Sequence, residues 1–286
     1  MRDLRTIRIF LSLLFMAAAV AALFVGNGVN PLASGAEKVQ IIPSALAMTM
    51  GATGFWLVAT FMFGRIYCST VCPVGTLQDS ATWLRRRILR RSAATPPAPG
   101  RSRLIRPFRY RREGKLRFPV LLAYVVCLLL GMTGVAATIE PWNMVRAAAR
   151  ATNPEAASPA LLFSAHVAIG VAFAAAVLLA VWLAALWGGR RFCSEVCPIG
   201  TVLGCVSRFS LYHIEIDPER CTNCMRCEEA CKTQSIKVAG RYVDNERCVR
   251  CFDCLKVCAD DAINLQRTRN RRINPLMKKR LDGTEP

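Results

Sequence analysis

The chain has 286 residues, of which 53% are hydrophobic, and its 38 basic and 19 acidic side chains give a net charge of +19. An ordinary soluble domain is about 45–50% apolar, so the composition argues against such a domain and the excess must be concentrated in particular segments. Fourteen cysteines lie in tight groups, which favours metal sites over a framework of disulfides.

Four apolar segments, taken in chain order, meet or approach the length of about 20 residues that a helix needs to cross a bilayer. They cover residues 9–25, 45–63, 118–139 and 160–187. The first follows Arg2, Arg5 and Arg8, as in a secretory signal, but its apolar run is longer than the usual core of about 7–15 residues. The sequence therefore predicts an all-α membrane bundle of four transmembrane helices.

The basic residues are distributed unevenly between the segments that connect these spans. The N-terminus, residues 64–117 and the residues after 187 hold 35 of the 38 lysines and arginines. Because such residues accumulate on the cytoplasmic side, we expect a multi-pass protein of the bacterial cytoplasmic (inner) membrane with both termini in the cytoplasm. The same distribution accounts for most of the net charge, because basic segments beside membrane spans attract anionic membrane lipid. It therefore argues against nucleic acid as a partner.

A segment that follows the second apolar stretch recurs after the fourth, at an offset of 125 residues. Residues 64–76, GRIYCSTVCPVGT, align with residues 189–201, GRRFCSEVCPIGT. We therefore predict two parallel two-helix repeats, residues 1–84 and 118–210, related by an approximate two-fold axis along the membrane normal. A basic cytoplasmic linker, residues 85–117, joins them.

Each repeat ends in a Cys-x3-Cys-Pro element, and the symmetry predicts that the two elements face each other. The cysteines concerned are Cys68, Cys72, Cys193 and Cys197. Four thiolates are what an iron–sulfur cluster needs, so one shared cluster is the first interpretation. Two others stay open: a redox-active dithiol, favoured where helix ends and arginines lower a thiol pKa, and a rigid turn stopped by Pro73 and Pro198.

The C-terminal part carries the bacterial ferredoxin spacing Cys-x2-Cys-x2-Cys-x3-Cys twice. In this spacing three cysteines bind one [4Fe–4S] cluster and the fourth reaches the other cluster. The first cluster is predicted on Cys221, Cys224, Cys227 and Cys258, and the second on Cys248, Cys251, Cys254 and Cys231. Zinc sites also use Cys-x2-Cys pairs, but they usually separate the pairs by a longer spacer.

These runs predict a small α+β bacterial-ferredoxin-like domain over residues 211–266, followed by a basic tail, residues 267–286. Each run usually ends in Cys-Pro, whereas here Lys232 and Ala259 follow the last cysteine. Because that proline shapes the turn without binding metal, we expect the clusters to survive. No haem-attachment motif, dinucleotide fingerprint or phosphate loop occurs, so the sequence shows no binding site for a nicotinamide or flavin. It also offers no catalytic residues.

Four spans, two Cys-x3-Cys-Pro elements and a double ferredoxin tail together resemble the NapH/MauN-type membrane ferredoxin family, whose core is related to those of NosR and CcoG. The resemblance covers nearly the whole chain. It implies quinone as a further cofactor and a quinol dehydrogenase component that relays electrons between the quinone pool and a partner redox protein. The alternative function is a redox assembly factor that reduces a metal or cofactor during maturation of a respiratory enzyme.

Overall fold

The computed structural model describes residues 3–24, 50–94, 108–111, 116–132, 145 and 165–267. Residues 268–286 of the predicted basic tail and much of the predicted linker lie outside these ranges. The helices of the first half are α1 (Asp3–Phe24), α2 (Met50–Phe63), α3 (Tyr67–Thr70), α4 (Pro73–Ala94) and α5 (Arg117–Leu129). The second half continues with α6 (Ala165–Gly188), a π-helical turn (Phe192–Val196) and α7 (Pro198–Ser207).

The helices in these described ranges include none that is both long enough and apolar enough to cross a membrane. The predicted bundle of four transmembrane helices is therefore wrong for this part of the chain. Helix α5 ends at Leu129 and has 13 residues, so at about 1.5 Å per residue it falls short of a hydrocarbon core of roughly 30 Å. The membrane localisation, the orientation of the termini and the lipid partner stay predictions.

Two other helices are held by polar contacts within the protein. Helix α1 places Arg8 at 2.8 Å from an Asp79 oxygen of α4, so one of its charged residues is buried among protein groups. Helix α6 packs on α4, where the indole nitrogen of Trp182 donates to the Ser80 hydroxyl at 3.0 Å. Arg85 donates to the Trp187 carbonyl at 2.7 Å. The helical layer is thus tied together around the polar helix α4.

The two repeated segments follow similar backbone paths. Gly64 and Gly189 have φ values of 80° and 68° after the last turns of α2 and α6, a conformation that glycine adopts without steric cost. The first cysteine of each pair comes next, Cys68 in α3 and Cys193 in the π-helical turn. Pro73 and Pro198 then start α4 and α7, at a position that needs no backbone N–H. Each proline therefore ends a cysteine turn and also begins a helix.

The C-terminal residues form two small antiparallel sheets with two short helices. Strand β1 (Tyr212–Ile216) pairs with β4 (Ile263–Arg267), and β2 (Ile236–Lys237) pairs with β3 (Tyr242–Val243). The short helices are α8 (Arg226–Ala230) and α9 (Asp253–Val257), one within each cysteine run. This part of the chain has the predicted α+β composition.

A buried arginine fastens the ferredoxin-like part to the helical layer. Arg250 is fully buried and donates to the Phe63 carbonyl at the end of α2 and to the Tyr212 carbonyl in β1, both at 2.9 Å. A Cβ on Gly64 would lie 2.6 Å from the Arg250 side chain, so only glycine leaves room for it. The cysteine runs are consequently held directly against the repeated segments.

Candidate metal centres

The first predicted set of tail cysteines borders one cavity. We call it the outer tail site, and its cysteines are Cys221, Cys224, Cys227 and Cys258. Apolar side chains of Ile216, Val238 and Ile263 line the same cavity. Cys227 is buried whereas Cys224 is exposed, so this site has one edge open to solvent.

The second predicted set borders a separate cavity. We call it the inner tail site, and its cysteines are Cys231, Cys248, Cys251 and Cys254. All four are buried. Cys231 comes from the first run, and its sulfur accepts a hydrogen bond from the Ser235 backbone at 3.3 Å. Each cavity therefore combines three cysteines of one run with the last cysteine of the other.

Both cysteine runs wrap their cavities with the same unusual backbone. Non-glycine residues with positive φ are uncommon, yet they occur here in matched pairs at equivalent positions of the two runs. The pairs are Asn223 (56°) with Arg250 (53°), Met225 (62°) with Phe252 (59°), and Gln234 (55°) with Asp261 (46°). Such conformations persist where the surrounding structure over-determines them, so the two runs share one local design.

Each tail cavity is bordered by four cysteines. In the ranges that the structure describes, no group of three His, Cys, Asp or Glu side chains is close enough to hold one metal ion. Four cysteine thiolates around a larger group are what a [4Fe–4S] cluster requires.

Burial disfavours the thiolate form of Cys227 and Cys254. It raises the pKa of Cys227 to about 12, and repulsion from Cys221 and Cys258 contributes to the rise. Burial also raises the pKa of Cys254 well above its usual range, with repulsion from Cys251 as the next cause. Because the thiolate is the metal ligand, the cations of a bound cluster would have to supply the compensating charge.

The cysteines of the two repeated elements lie in one buried neighbourhood, which we call the repeat site. They are Cys68 (4% exposed), Cys72 (5%), Cys193 (3%) and Cys197 (5%). Burial raises the pKa of Cys193 to about 11, although Arg190 opposes the rise. Burial likewise raises the pKa of Cys197 well above its usual range, and repulsion from Cys193 and Cys72 adds to it. The four thiols are therefore electrostatic neighbours.

Two equivalent arginines cross between the halves of the repeat site. Arg65, from the first repeat, donates to the Cys193 carbonyl of the second at 2.6 Å. Arg190, from the second repeat, donates to the Cys68 carbonyl of the first at 2.7 Å. Both arginines are buried, with exposed fractions of 2% and 0%. Each half of the site is thus positioned by a side chain of the other half.

Arg65 also gives the repeat site an excess of positive charge. Among the described ion pairs, Arg190 has the Asp79 carboxylate at 2.8 Å, but no carboxylate pairs with Arg65. One guanidinium nitrogen of Arg65 lies 3.9 Å from the Cys68 sulfur, and its Nε has no hydrogen-bond partner among the described groups. Burying an unpaired cation is costly. Arg65 opposes, but does not overcome, the rise in the pKa of Cys193 that burial causes.

Two further glycines allow the close packing of the repeat site. Gly75 and Gly200 occupy equivalent positions of the repeated segment. A Cβ on Gly75 would lie 2.3 Å from the Cys68 carbonyl oxygen, and one on Gly200 would lie 2.1 Å from that of Cys193. Since both carbonyls also accept the crossed arginines, the backbone has little freedom to move away.

Gly75→Ala is expected to destabilise the protein by about 1–3 kcal/mol, as overpacking of a dense core does. The matched control is Gly54→Ala in α2, where an added Cβ meets no atom within 4 Å. That control should be neutral or stabilising, by up to about 1 kcal/mol, because alanine is the better helix former. Free energies of unfolding from denaturant titrations give the comparison. Equal effects of the two substitutions would contradict the close approach at Gly75.

The sequence analysis missed the polar residues that surround the repeat site. Arg65 and Arg190 had a signal, because both stand second in the repeated segment directly after its glycine. No spacing in the sequence indicated Asp79 or Lys232, because their contact joins residues far apart in the chain. The departure from Cys-Pro at Lys232 was visible, but its meaning was not.

Comparison with known proteins finds 4Fe-4S binding domains that match parts of this chain. A family described as a 4Fe-4S binding domain matches residues 45–92 and again residues 169–214, which are the two copies of the repeated element with their flanking residues. A second family with the same description matches residues 213–236, in the first ferredoxin run. The chain therefore contains segments that match 4Fe-4S binding domains.

More particularly, it is homologous to the ferredoxin-type proteins named MauN and NapH, which confirms the predicted resemblance. It is 28% identical over 191 residues to the methylamine utilization protein MauN of Paracoccus denitrificans, covering 66% of this chain and 56% of that one. It is 28% identical over 193 residues to NapH of Haemophilus influenzae, covering 66% and 55%. The chain thus spans about half the length of these curated relatives. No solved structure matches it.

Proposed function

We propose that the chain relays single electrons between the quinone pool and a partner redox protein, through three cysteine sites arranged in series. The observation that carries this proposal is the graded burial of the sites. Cys251 of the inner tail site shares one buried apolar core with Cys68 and Cys72 of the repeat site. Cys224 of the outer tail site is exposed. The series therefore runs from the repeat site through the inner tail site to the outer one.

Each tail site would hold one [4Fe–4S] cluster on its four cysteines, and the repeat site a third iron–sulfur cluster shared by both halves. Such clusters supply reversible one-electron transfer when bound. The chain contributes the thiolates, the buried cations of Arg65 and Arg190 that offset their charge, and apolar walls that exclude water. The exchange of Cys231 and Cys258 between the runs supports a close approach of the two tail sites.

The two ends of the relay rest on different grounds. The exposed edge at Cys224, beside the exposed residues Thr222 and Asn223, supports the outer tail site as the contact point for a partner redox protein. The quinone pool at the other end is supported by the family resemblance described in the sequence analysis. The same series of sites can carry electrons in either direction.

Anaerobic electron transfer from a quinol analogue to a soluble electron acceptor tests the relay. The purified full chain is expected to connect the two reagents, and Cys224→Ser should abolish most of the transfer to the acceptor. Cys205→Ser is the matched control, because Cys205 is half-buried and lies outside all three sites. A wild-type chain that does not oxidise the quinol, or a Cys224→Ser variant as active as the control, would contradict the proposed relay.

A further inference from the structure

Lys232 follows the last cysteine of the first ferredoxin run, where proline is usual, and it is buried, with only 6% of its surface exposed. A buried ammonium needs a reason, because burying a charge is costly unless it is paired. Its nitrogen lies 3.0 Å from an Asp79 oxygen in α4 and 3.1 Å from an Asp253 oxygen in α9. Lys232 thus bridges the helical layer and the second ferredoxin run.

The Lys232 backbone is anchored as well. Its carbonyl accepts a hydrogen bond from the Arg190 backbone N–H at 2.8 Å. A Cβ on Gly189 would lie 2.2 Å from that same carbonyl, so the glycine that opens the second repeated segment allows this approach. Lys232 therefore contacts the second repeat through its backbone and the first repeat through Asp79.

The bridge is the centre of a buried network of ion pairs. Asp79 is paired at 2.8 Å with both Arg8 and Arg190, in addition to Lys232. Although burial opposes it, Arg190 and Lys232 hold the pKa of Asp79 well below its usual range. The cations paired with the two carboxylates Asp79 and Asp253 are Arg5, Arg8, Arg86, Arg190 and Lys232. Positive charge is therefore in excess between the repeat site and the inner tail site.

The charge on Lys232 acts on the inner tail site. Lys232 directly follows Cys231, which borders the inner tail cavity. Its ammonium contacts Asp253, which stands next to Cys254 of the same cavity. A nearby cation in a poorly solvated region stabilises added negative charge. Reduction adds one negative charge to a site, so an ammonium at this position makes reduction more favourable.

We propose that Lys232 is a positioning residue that fastens the inner tail site to the repeat site and raises the reduction potential of the inner tail site. The proposal rests on the proposed function, because it requires a cluster on the inner cysteines. It also explains the departure from Cys-Pro in the first run. The equivalent residue of the second run, Ala259, is exposed and meets no such network.

Reduction potentials of the full chain, measured by anaerobic titration with electron paramagnetic resonance detection of the tail signals, test this role. In Lys232→Met, reduction of the inner tail site should become about tenfold less favourable, a shift of about 59 mV to more negative potential for one electron. Asp79→Asn removes a negative charge from the same network, so it should shift the potential in the opposite direction. The outer tail site should keep its potential in both variants.

Lys256→Met is the matched control, because it makes the same chemical change in α9 at an exposed side chain that solvent and salt screen. It should leave both potentials unchanged, and Lys232→Arg, which keeps the charge, should stay close to wild type. Shifts of the same sign in Lys232→Met and Asp79→Asn, or no shift in either, would overturn the proposal. If Lys232→Met loses iron, the sign of the shift in Asp79→Asn decides alone.

Iron analysis separates this proposal from the proposed function. A wild-type chain without iron in its tail would refute the clusters themselves. Normal iron content, with reduction potentials that do not change in the Lys232 and Asp79 variants, would refute only the role of the network.

Discussion

Cys68→Ser and Cys193→Ser are expected to remove the same iron from the protein, and the double variant should lose no more than either single one. The two residues come from different repeats, but each supplies part of one four-cysteine site, and a cluster requires all its ligands. Residues that act as one unit show this non-additivity. If the shared group has four irons, each variant loses roughly a third of the total and keeps about eight irons in the tail. Iron content per chain and the visible spectrum provide the measurement.

Cys127→Ser serves as the control for these variants, since Cys127 lies in α5, away from the three sites, and is half-buried. It should keep the full iron content. Loss of electron transfer without loss of iron in Cys68→Ser would replace the shared cluster with a redox-active dithiol. Unchanged iron and unchanged transfer would leave the repeated elements as turns.

Arg190→Met is expected to destabilise the protein by about 3–5 kcal/mol, the usual cost of breaking a buried ion pair from one side. The substitution leaves the Cys68 and Gly75 carbonyls without their donor and removes one of three cations from Asp79. Arg190→Lys should recover only part of this loss, because an ammonium cannot reproduce the planar fork of a guanidinium. Free energies of unfolding by denaturant give the comparison.

Arg87→Met is the matched control for Arg190→Met. Arg87 is exposed in α4 and lies over the Trp83 ring at 5.3 Å, a contact worth about 0.5–1 kcal/mol at an exposed site. A loss in Arg190→Met no larger than that of this control would show that the crossed arginines do not hold the halves of the repeat site together.

The tail sites were readable from the sequence because their ligands follow a local rule. Three cysteines within seven residues fix which sulfurs share a cavity, and the exchange of Cys231 and Cys258 follows from the same spacing. The repeat likewise indicated that Cys68 and Cys193 are neighbours. These inferences needed only chain-local geometry and one symmetry argument.

The membrane spans and the ion-pair network were not readable in the same way. Apolar composition over residues 45–63 predicted one membrane-spanning helix, whereas the helices that the structure describes include none that could cross a membrane. Hydropathy marks an apolar segment but does not fix what that segment packs against. The pairing of Asp79 with Lys232 depends on how α4 meets the ferredoxin-like part, which no local pattern encodes. Only the presence of Lys232 in place of the usual proline indicated this pairing.

The crossed arginines have a consequence for how the protein is made. Arg65 finds its acceptor 128 residues later in the chain, and Arg190 finds its acceptor 122 residues earlier. While a ribosome has produced only the first repeat, the Arg65 guanidinium has no Cys193 carbonyl to bind, and the Cys68 carbonyl has no donor from Arg190. Closing such long loops costs entropy before any contact rewards it. Until the second half has emerged, the first half of the chain therefore lacks these contacts and is incompletely packed. The two halves then pack against each other in one late and cooperative step.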